Sequence, residues 1–412
     1  MPGKRPRPQS AHGRTGRRPR VGALGGRRLW IVGIGGAGMS GYAALAHAWG
    51  AEVRGWDRAC TPYLEHLSGI EVDISEDPPD PPPGWETYVS TAFARRVDGK
   101  SRAELLGELV SLRDAIVVAG AHGKTTTSGM IAFCLERLGR DPAWLIGGDI
   151  PQLGGNAGTG SGWLVVEGDE SDRTIARLRP RIAVVTNVDL DHHTTFGSRA
   201  EVQELFERWL TSVPDGVRGD ELEPYSDHLA VPGEHNRRNA ACALAALELA
   251  GVSRDDAARV LAEFTGASRR LELRGHTRGA EVWDDYAHHP AEISATLAAL
   301  RDGGRLLVLF QPHLYSRTRH LARELARALA LADVVAVADV YPAREEPVTG
   351  VTGKLIVDAL AEVRPGMPLA WTPTIEDGAA FLAAQLQAGD RVVTLGAGDV
   401  DRAATSLLEV PG

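Results

Sequence analysis

Ala115-Ile116-Val117-Val118-Ala119-Gly120-Ala121-His122-Gly123-Lys124-Thr125-Thr126-Thr127 is the stretch on which the fold turns. The apolar run Ala115–Val118 reads as a buried strand, a glycine-rich turn follows, and Thr125–Leu138 reads as a helix. Glycine lets a backbone turn sharply and present its amides, and a helix N-terminus favours negative charge. The pattern is that of a phosphate cradle in which Lys124 neutralises β/γ charge and the Thr125 hydroxyl reaches Mg2+. The common G-x-x-x-x-G-K spacing would need glycine where Val118 stands, so this is a shorter G-x-x-G-K-T-T form.

The same strand–turn–helix unit occurs upstream. Leu29–Val32 is a strand, Gly33-Ile34-Gly35-Gly36-Ala37-Gly38 a G-x-G-x-x-G turn, and Met39–Trp49 an alanine-rich helix. Asp57 closes the next strand 19 residues after Gly38, where a ribose-binding acid belongs. Alone, this loop fits a nicotinamide dehydrogenase, a tight packing turn, or another diphosphate-bearing nucleotide. Two such loops in one chain point to two nucleotides bound together, and a dehydrogenase has no use for Lys124 and its threonines.

The alternation restarts near Arg113 and again near Arg270. Strands are expected at Leu164–Glu167, Ile182–Thr186, Val282–Asp284, Leu306–Phe310, Val334–Ala338 and Val392–Leu395, with helical segments between them. The expected fold is α/β, three consecutive units with parallel sheets. Residues 29–113, 114–265 and 266–412 form the units, behind a disordered basic tail at 1–28.

Length agrees, since 412 residues suggest two to four domains. The net charge of −9 hides an asymmetry: residues 1–28 hold nine basic groups and no acid, and the rest carries −18. An acidic body argues against nucleic acid as a partner. No apolar run is long enough to span a membrane, and the basic N-terminus lacks the apolar stretch of a secretory signal. A cytoplasmic protein is expected. Cys60, Cys134 and Cys242 are too scattered for a disulfide framework or a zinc site.

Polar clusters follow several strands. Glu167–Asp172 and Asp189-Leu190-Asp191-His192-His193 stand at strand ends, where open α/β sheets bind ligands, and carboxylates beside a phosphate loop suit Mg2+. Asp284-Asp285-Tyr286-Ala287-His288-His289-Pro290 and Gln311–Arg319 make an anion or carboxylate site in the third unit. Arg317 and Arg319 are two apart and do not share a helical face, so one of them is expected to enter the site.

In order and spacing, G-I-G-G-A-G-M-S-G (Gly33–Gly41), A-H-G-K-T-T-T (Ala121–Thr127), G-D-E-S-D (Gly168–Asp172), T-N-V-D-L-D-H (Thr186–His192), P-G-E-H-N-R-R-N-A (Pro232–Ala240), D-D-Y-A-H-H-P (Asp284–Pro290) and F-Q-P-H-L-Y-S-R-T-R (Phe310–Arg319) resemble the Mur ligases. The resemblance runs from about Leu29 to the C-terminus. It implies a Rossmann-like N-terminal domain, a P-loop ATPase-like central domain and a Rossmann-like C-terminal domain. The implied activity joins L-alanine to the lactyl carboxylate of UDP-N-acetylmuramate through an acyl phosphate, the first amino-acid addition in peptidoglycan precursor synthesis. A relative that attaches a whole tripeptide in cell-wall recycling shares most of these motifs, but typically lacks the F-Q-P-H-x-x-S-R-T-R form. A non-catalytic nucleotide-binding homologue is the other alternative.

The resemblance also assigns residues. Gly33, Gly35, Gly36, Ala37, Gly38, Met39 and Ser40 would hold the UDP-sugar, with Asp57 nearby. Gly120, Ala121, His122, Gly123, Lys124, Thr125, Thr126, Asn236, Asn239, Arg270 and Asp285 would bind ATP. Thr125, Glu170 and His192 would ligate Mg2+, or Mn2+ in its place. Tyr286, His288 and Arg317 would surround the amino acid, and Lys124, Glu170, His192, His288 and Arg317 would carry catalysis. The partners are these small molecules, and the chain is expected to be a monomer or weak homodimer. Two departures stand out. Thr211–Val231 is short where relatives form a small β-subdomain, and Leu314 stands where many have Arg.

Overall fold

The computed structural model describes residues 22–409 apart from 171–172, 191–194, 302–303 and 344. Its three sheets follow one another along the chain. The N-terminal unit runs β1 (Arg28–Val32), α1 (Ala37–Ala48), β2 (Glu52–Asp57), β3 (Glu71–Ile74), β4 (Glu86–Val89), β5 (Lys100–Ser101) and α2 (Arg102–Ser111). Its strands pair in parallel in the order β3-β2-β1-β4-β5.

The central unit comprises β6 (Ala115–Ala119), α3 (Lys124–Arg137), β7 (Ala143–Ile150), β8 (Gly155–Thr159), β9 (Leu164–Glu167), β10 (Ile182–Val185), α4 (Arg199–Thr211), β11 (Asp215–Arg218), α5 (Glu234–Leu249) and α6 (Arg254–Leu261). Its sheet order is β11-β10-β6-β9-β7-β8. Every residue of β6 is buried, as an apolar strand flanked by parallel neighbours and covered on both faces requires. In the short segment after α4, the chain adds β11 as a parallel edge strand on β10.

The C-terminal unit comprises β12 (Glu272–Thr277), β13 (Ala280–Asp285), α7 (Pro290–Leu300), β14 (Leu306–Phe310), α8 (Tyr315–Leu329), β15 (Val334–Val337), α9 (Lys354–Val363), β16 (Leu369–Trp371), α10 (Ile375–Gln385), β17 (Arg391–Leu395) and α11 (Asp401–Leu408). The sheet order is β12-β13-β17-β14-β15-β16.

Two expectations need correction. The sheets are not wholly parallel, because β7–β8 and β12–β13 are antiparallel pairs. The second is a hairpin whose turn residues Arg278 (φ +49°) and Gly279 (φ +77°) both take the left-handed conformation that matches strand twist. The basic tail also ends sooner than residue 28. Leu24 is buried in the core, and the Arg27 guanidinium pairs with Glu86 at 2.7 Å and Glu108 at 2.8 Å. Arg28 opens β1. Residues 1–21 of the expected tail lie outside the described residues.

Packing differs between the two seams. One continuous apolar cluster joins Leu45, Trp49 and Leu109 of the N-terminal unit to Val117, Leu145 and Val166 of the central sheet. Gly41 lets α1 approach this closely, since a Cβ there would lie 3.1 Å from both Ala157 and Leu145. The C-terminal sheet has its own cluster on each face, one around Phe310 and Leu329, the other around Leu309 and Leu382.

Candidate active site

The turn between β6 and α3 is held in shape from outside. Gly120 (φ +129°) and Gly123 (φ +80°) adopt conformations that side chains rarely take. A Cβ on the first would fall on the Thr186 hydroxyl, and on the second on the Asn239 carboxamide. Asn187, just after β10, accepts a hydrogen bond from the His122 amide at 3.0 Å and donates to the His122 carbonyl at 2.9 Å. The Thr186 hydroxyl donates to the same carbonyl at 2.6 Å. Sequence reading quoted this segment for its carboxylates and missed the buttress.

Lys124 opens α3 with its ammonium folded over the turn, donating to the Gly120 carbonyl at 2.7 Å and to Glu170 Oε1 at 3.0 Å. Burial alone would lower its pKa, but the carboxylates of Glu170, Glu167 and Asp169 outweigh burial and raise it. Lys124 is therefore charged. Thr125 and Thr126 are buried beside it. The N-cap of α3 is Gly123 and that of α1 is Gly36, neither with a capping side chain, so the first-turn amides face the turns. Ser101, Ser198, Ser253 and Thr374 cap α2, α4, α6 and α10, whereas α5, α8, α9 and α11 share the uncapped start of α1 and α3.

The upstream turn is pinned by Asp57, whose Oδ2 accepts from the Gly35 amide at 2.7 Å. Thr61 donates to the Gly35 carbonyl at 2.6 Å. Gly33 sits at φ +80°. Met39 is buried in the core and the Ser40 hydroxyl donates to the Ala37 carbonyl at 3.2 Å, and neither is among the residues lining the cavity between the two turns. Ala37 and Gly38 are.

A cavity of about 380 Å3 lies between the two turns. It is lined by Ala37, Gly38, Gly41 and Tyr42 from the N-terminal unit, Ala121–Thr125, Glu167 and Asp169 from the central unit, and Arg270, His288 and Glu292 from the C-terminal unit. A second cavity of about 270 Å3 is lined by Gly123, Thr126, Asn236, Asn239, Arg270, Asp285 and Thr296. His122, Gly123, Arg270 and Glu292 border both. Asn239 donates to Asn236 Oδ1 at 3.2 Å, and Asn236 to the Pro232 carbonyl at 2.7 Å, which orients both amides in the first turns of α5.

Arg270 stands between two non-glycine residues in the left-handed region, Arg269 (φ +58°) and Leu271 (φ +51°). Arg269 secures this kink by donating to Asp284 at 3.0 Å and to the carbonyls of Gly396 and Gly398 at 2.7 and 2.8 Å. The Arg270 guanidinium lies over the Tyr286 ring at 5.0 Å. Asp285 accepts from the amides of Leu271 and Ala287 at 2.8 and 2.7 Å. Burial pushes its pKa up to about 6, against the pull of Arg270.

Further contacts carry the site outward. His122 Nδ1 is 3.2 Å from Glu292 Oε1, and the His288 ring lies 3.7 Å from Glu292 Oε2. The His288 and His313 rings are 5.5 Å apart, and His313 Nδ1 meets the Arg317 guanidinium at 3.2 Å. Tyr341 stacks on His313 at 6.0 Å. Arg317 thus joins the cluster while Arg319 is exposed. Glu292 and Tyr341 were not singled out from the sequence, and His289 and His313 were quoted only as members of their clusters. The pattern His289-Pro290-Ala291-Glu292 did carry a signal, because proline then glutamate at a helix start is an N-terminal signature.

Thr125 and Glu170 offer oxygen donors of the kind a hard divalent ion takes. His192 lies outside the described residues. His122, Asp189 and His289 form another candidate metal-binding group, with ligand atoms within 4.8 Å of one another. The His122 contact holds the Asp189 pKa down to about 2.

Residues 118–219 match the Mur ligase middle domain, and residues 269–398 match the Mur ligase glutamate ligase domain. A UDP-N-acetylmuramate–L-alanine ligase of Renibacterium salmoninarum is 39% identical over 450 positions, covering 93% of this chain and 95% of the relative. That span exceeds the 412 residues here, so the relative carries segments that this chain lacks. The crystal structure of a UDP-N-acetylmuramate-alanine ligase from Thermotoga maritima superposes with a TM-score of 0.74 at 25% identity, covering 93% of this chain and 98% of that one. A murein peptide ligase from Psychrobacter arcticus shares the fold, with a TM-score of 0.60 at 23% identity over 94% of this chain and all of its own.

Proposed function

The chain belongs to the Mur ligase family, and on that premise we propose that it joins L-alanine to the lactyl carboxylate of UDP-N-acetylmuramate, driven by ATP. One observation carries this reading: the N-terminal turn, the phosphate loop, and Arg270 and His288 of the third unit all open onto one cavity. A dehydrogenase would need no second phosphate loop.

A carboxylate does not accept an amine at neutral pH, because oxide is too poor a leaving group. In the proposed reaction a carboxylate oxygen attacks the γ-phosphorus, ADP leaves, and an acyl phosphate forms. The amine of alanine then displaces phosphate through a tetrahedral intermediate. Lys124 and the open amides of α3 stabilise charge on the transferring group, chiefly by position and electrostatics. Asn236, Asn239 and Asp285 border the second cavity, which takes the nucleoside of ATP in this reading, and Arg270 reaches both cavities. The turn over Gly33–Gly38 takes the UDP diphosphate, with Asp57 holding the turn rather than reaching outward. His288, Tyr286 and Arg317 surround the amino acid. Thr125 and Glu170, with His192, would hold Mg2+, which neutralises phosphate charge when bound.

The acidic body makes these local cations necessary, since bulk charge repels polyanionic nucleotides. Among the described residues no helix is long and apolar enough to cross a membrane. The reading places the enzyme in the cytoplasm as a monomer or weak homodimer, which fractionation and size-exclusion chromatography check. The direct test is phosphate release by purified protein with UDP-N-acetylmuramate, L-alanine and Mg·ATP. No release above the level without alanine overturns the ligase reading. Preference for the tripeptide L-Ala-γ-D-Glu-diaminopimelate over free alanine moves the chain to the recycling activity.

A further inference from the structure

Resting on the ligase reading, we propose that Glu292 is a positioning residue that registers the C-terminal unit on the phosphate loop and so reserves the acyl phosphate for the amine. Glu292 sits in the first turn of α7 with its carboxylate half in each unit. Oε2 accepts the backbone amides of His288 and His289 at 3.1 and 3.2 Å, which fixes the carboxylate within its own unit. Oε1 faces His122 Nδ1 at 3.2 Å, across the seam and inside the phosphate loop. One side chain therefore touches the turn that holds ATP and the segment that presents His288 to the amino acid.

The Glu292 side chain is 14% exposed, and the contacts just given engage both of its oxygens. Among the described residues no buried apolar cluster joins the C-terminal sheet to the central one. The N-terminal and central units are joined by a common apolar cluster, whereas the C-terminal unit packs its own two clusters. The Glu292–His122 contact crosses the second seam, and Glu292 borders both cavities there.

The chemical consequence concerns water. When the amine attacks, its nitrogen lone pair forms the C–N bond, the C–O bond to phosphate breaks with its electron pair leaving on phosphate, and the proton lost by nitrogen passes to that phosphate. When water attacks instead, the carboxylate and inorganic phosphate return and ATP is hydrolysed without amide formation. A seam held in register excludes water and places the amine.

The test compares full-length wild-type protein, Glu292→Gln, His122→Gln and the double variant, measuring phosphate released and amide formed in the same samples. Wild type should give one phosphate per amide. Glu292→Gln should lower kcat by about ten- to a hundred-fold and release phosphate in excess of amide. The double variant should be no worse than the poorer single variant, because both remove one contact. Wild-type kcat with one-to-one stoichiometry in Glu292→Gln overturns the proposal, as do single effects that multiply in the double variant. If Glu292→Gln does not fold, His122→Gln decides by the same stoichiometry. A wild type that forms no amide refutes the ligase reading instead, so the two failures are distinct.

Discussion

Lys124 shows how tertiary contacts hold one charged residue in place. Its charge is maintained by three carboxylates, and its ammonium rests on the carbonyl of Gly120. Lys124→Met should keep the fold by circular dichroism and lower kcat by ~10²–10³-fold in steady-state assays, the usual cost of losing one preorganised charge partner. Glu86 belongs to the same scale but to stability. Hydrogen bonding to Arg27, then to Lys100, holds its pKa down to about 2 from 4.5. A depressed carboxyl stabilises the fold above the unfolded value and loses that contribution as pH falls through the folded one. Glu86→Gln should therefore cost about 1 kcal/mol at neutral pH, a modest value because the pair is partly exposed. The gap in melting temperature from wild type should close between pH 4.5 and about pH 2. Arg27 looked like one more charge of a tail, and only a partner 59 residues away makes it structural.

At the scale of elements, the strand–turn–helix units were legible because buried parallel strands are continuous apolar runs and the turns are rich in glycine. Edge strands were not. β8 is Gly155-Asn156-Ala157-Gly158-Thr159, with two glycines and no apolar alternation, and it is a strand because β7 pairs with it. β3 and β16 are similarly short and half exposed. The turn before α3 offers the sharpest element-level prediction. Gly123→Ala forces a side chain into the left-handed region and onto Asn239. It should cost about 1–3 kcal/mol by thermal denaturation and weaken ATP binding by calorimetry. A variant with unchanged melting and ATP affinity would show the turn to be slacker than its geometry indicates.

At the scale of the whole molecule, the two seams divide the labour. The N-terminal seam is apolar and close-packed, so it is expected to stay shut. Gly41→Leu should overpack it against Ala157 and Leu145, costing about 1–3 kcal/mol and raising KM for the UDP-sugar more than for ATP. The C-terminal seam is polar and follows the kink at Arg269–Leu271. Hydrogen exchange should therefore slow around Arg270 and α7 when ATP and the UDP-sugar are both present. Equal protection with and without nucleotide would contradict closure on this seam.

Glycine at 33, 35, 120 and 123, Lys124 at a helix start and acids after strands are local patterns, because a phosphate cradle is built from residues adjacent in the chain. Together with the alternation of apolar strands and helices they led to three α/β units, and seven ordered motifs from Gly33 to Arg319 led to the Mur ligase family. What the tertiary structure alone decided were contacts between residues far apart: Asn187 under the loop, Asp57 turned inward onto Gly35, and Glu292 joining His122 to His288. Periodicity records which face of an element is buried. It does not record which hydrogen-bonding partner arrives across 170 residues, because that depends on how whole units pack.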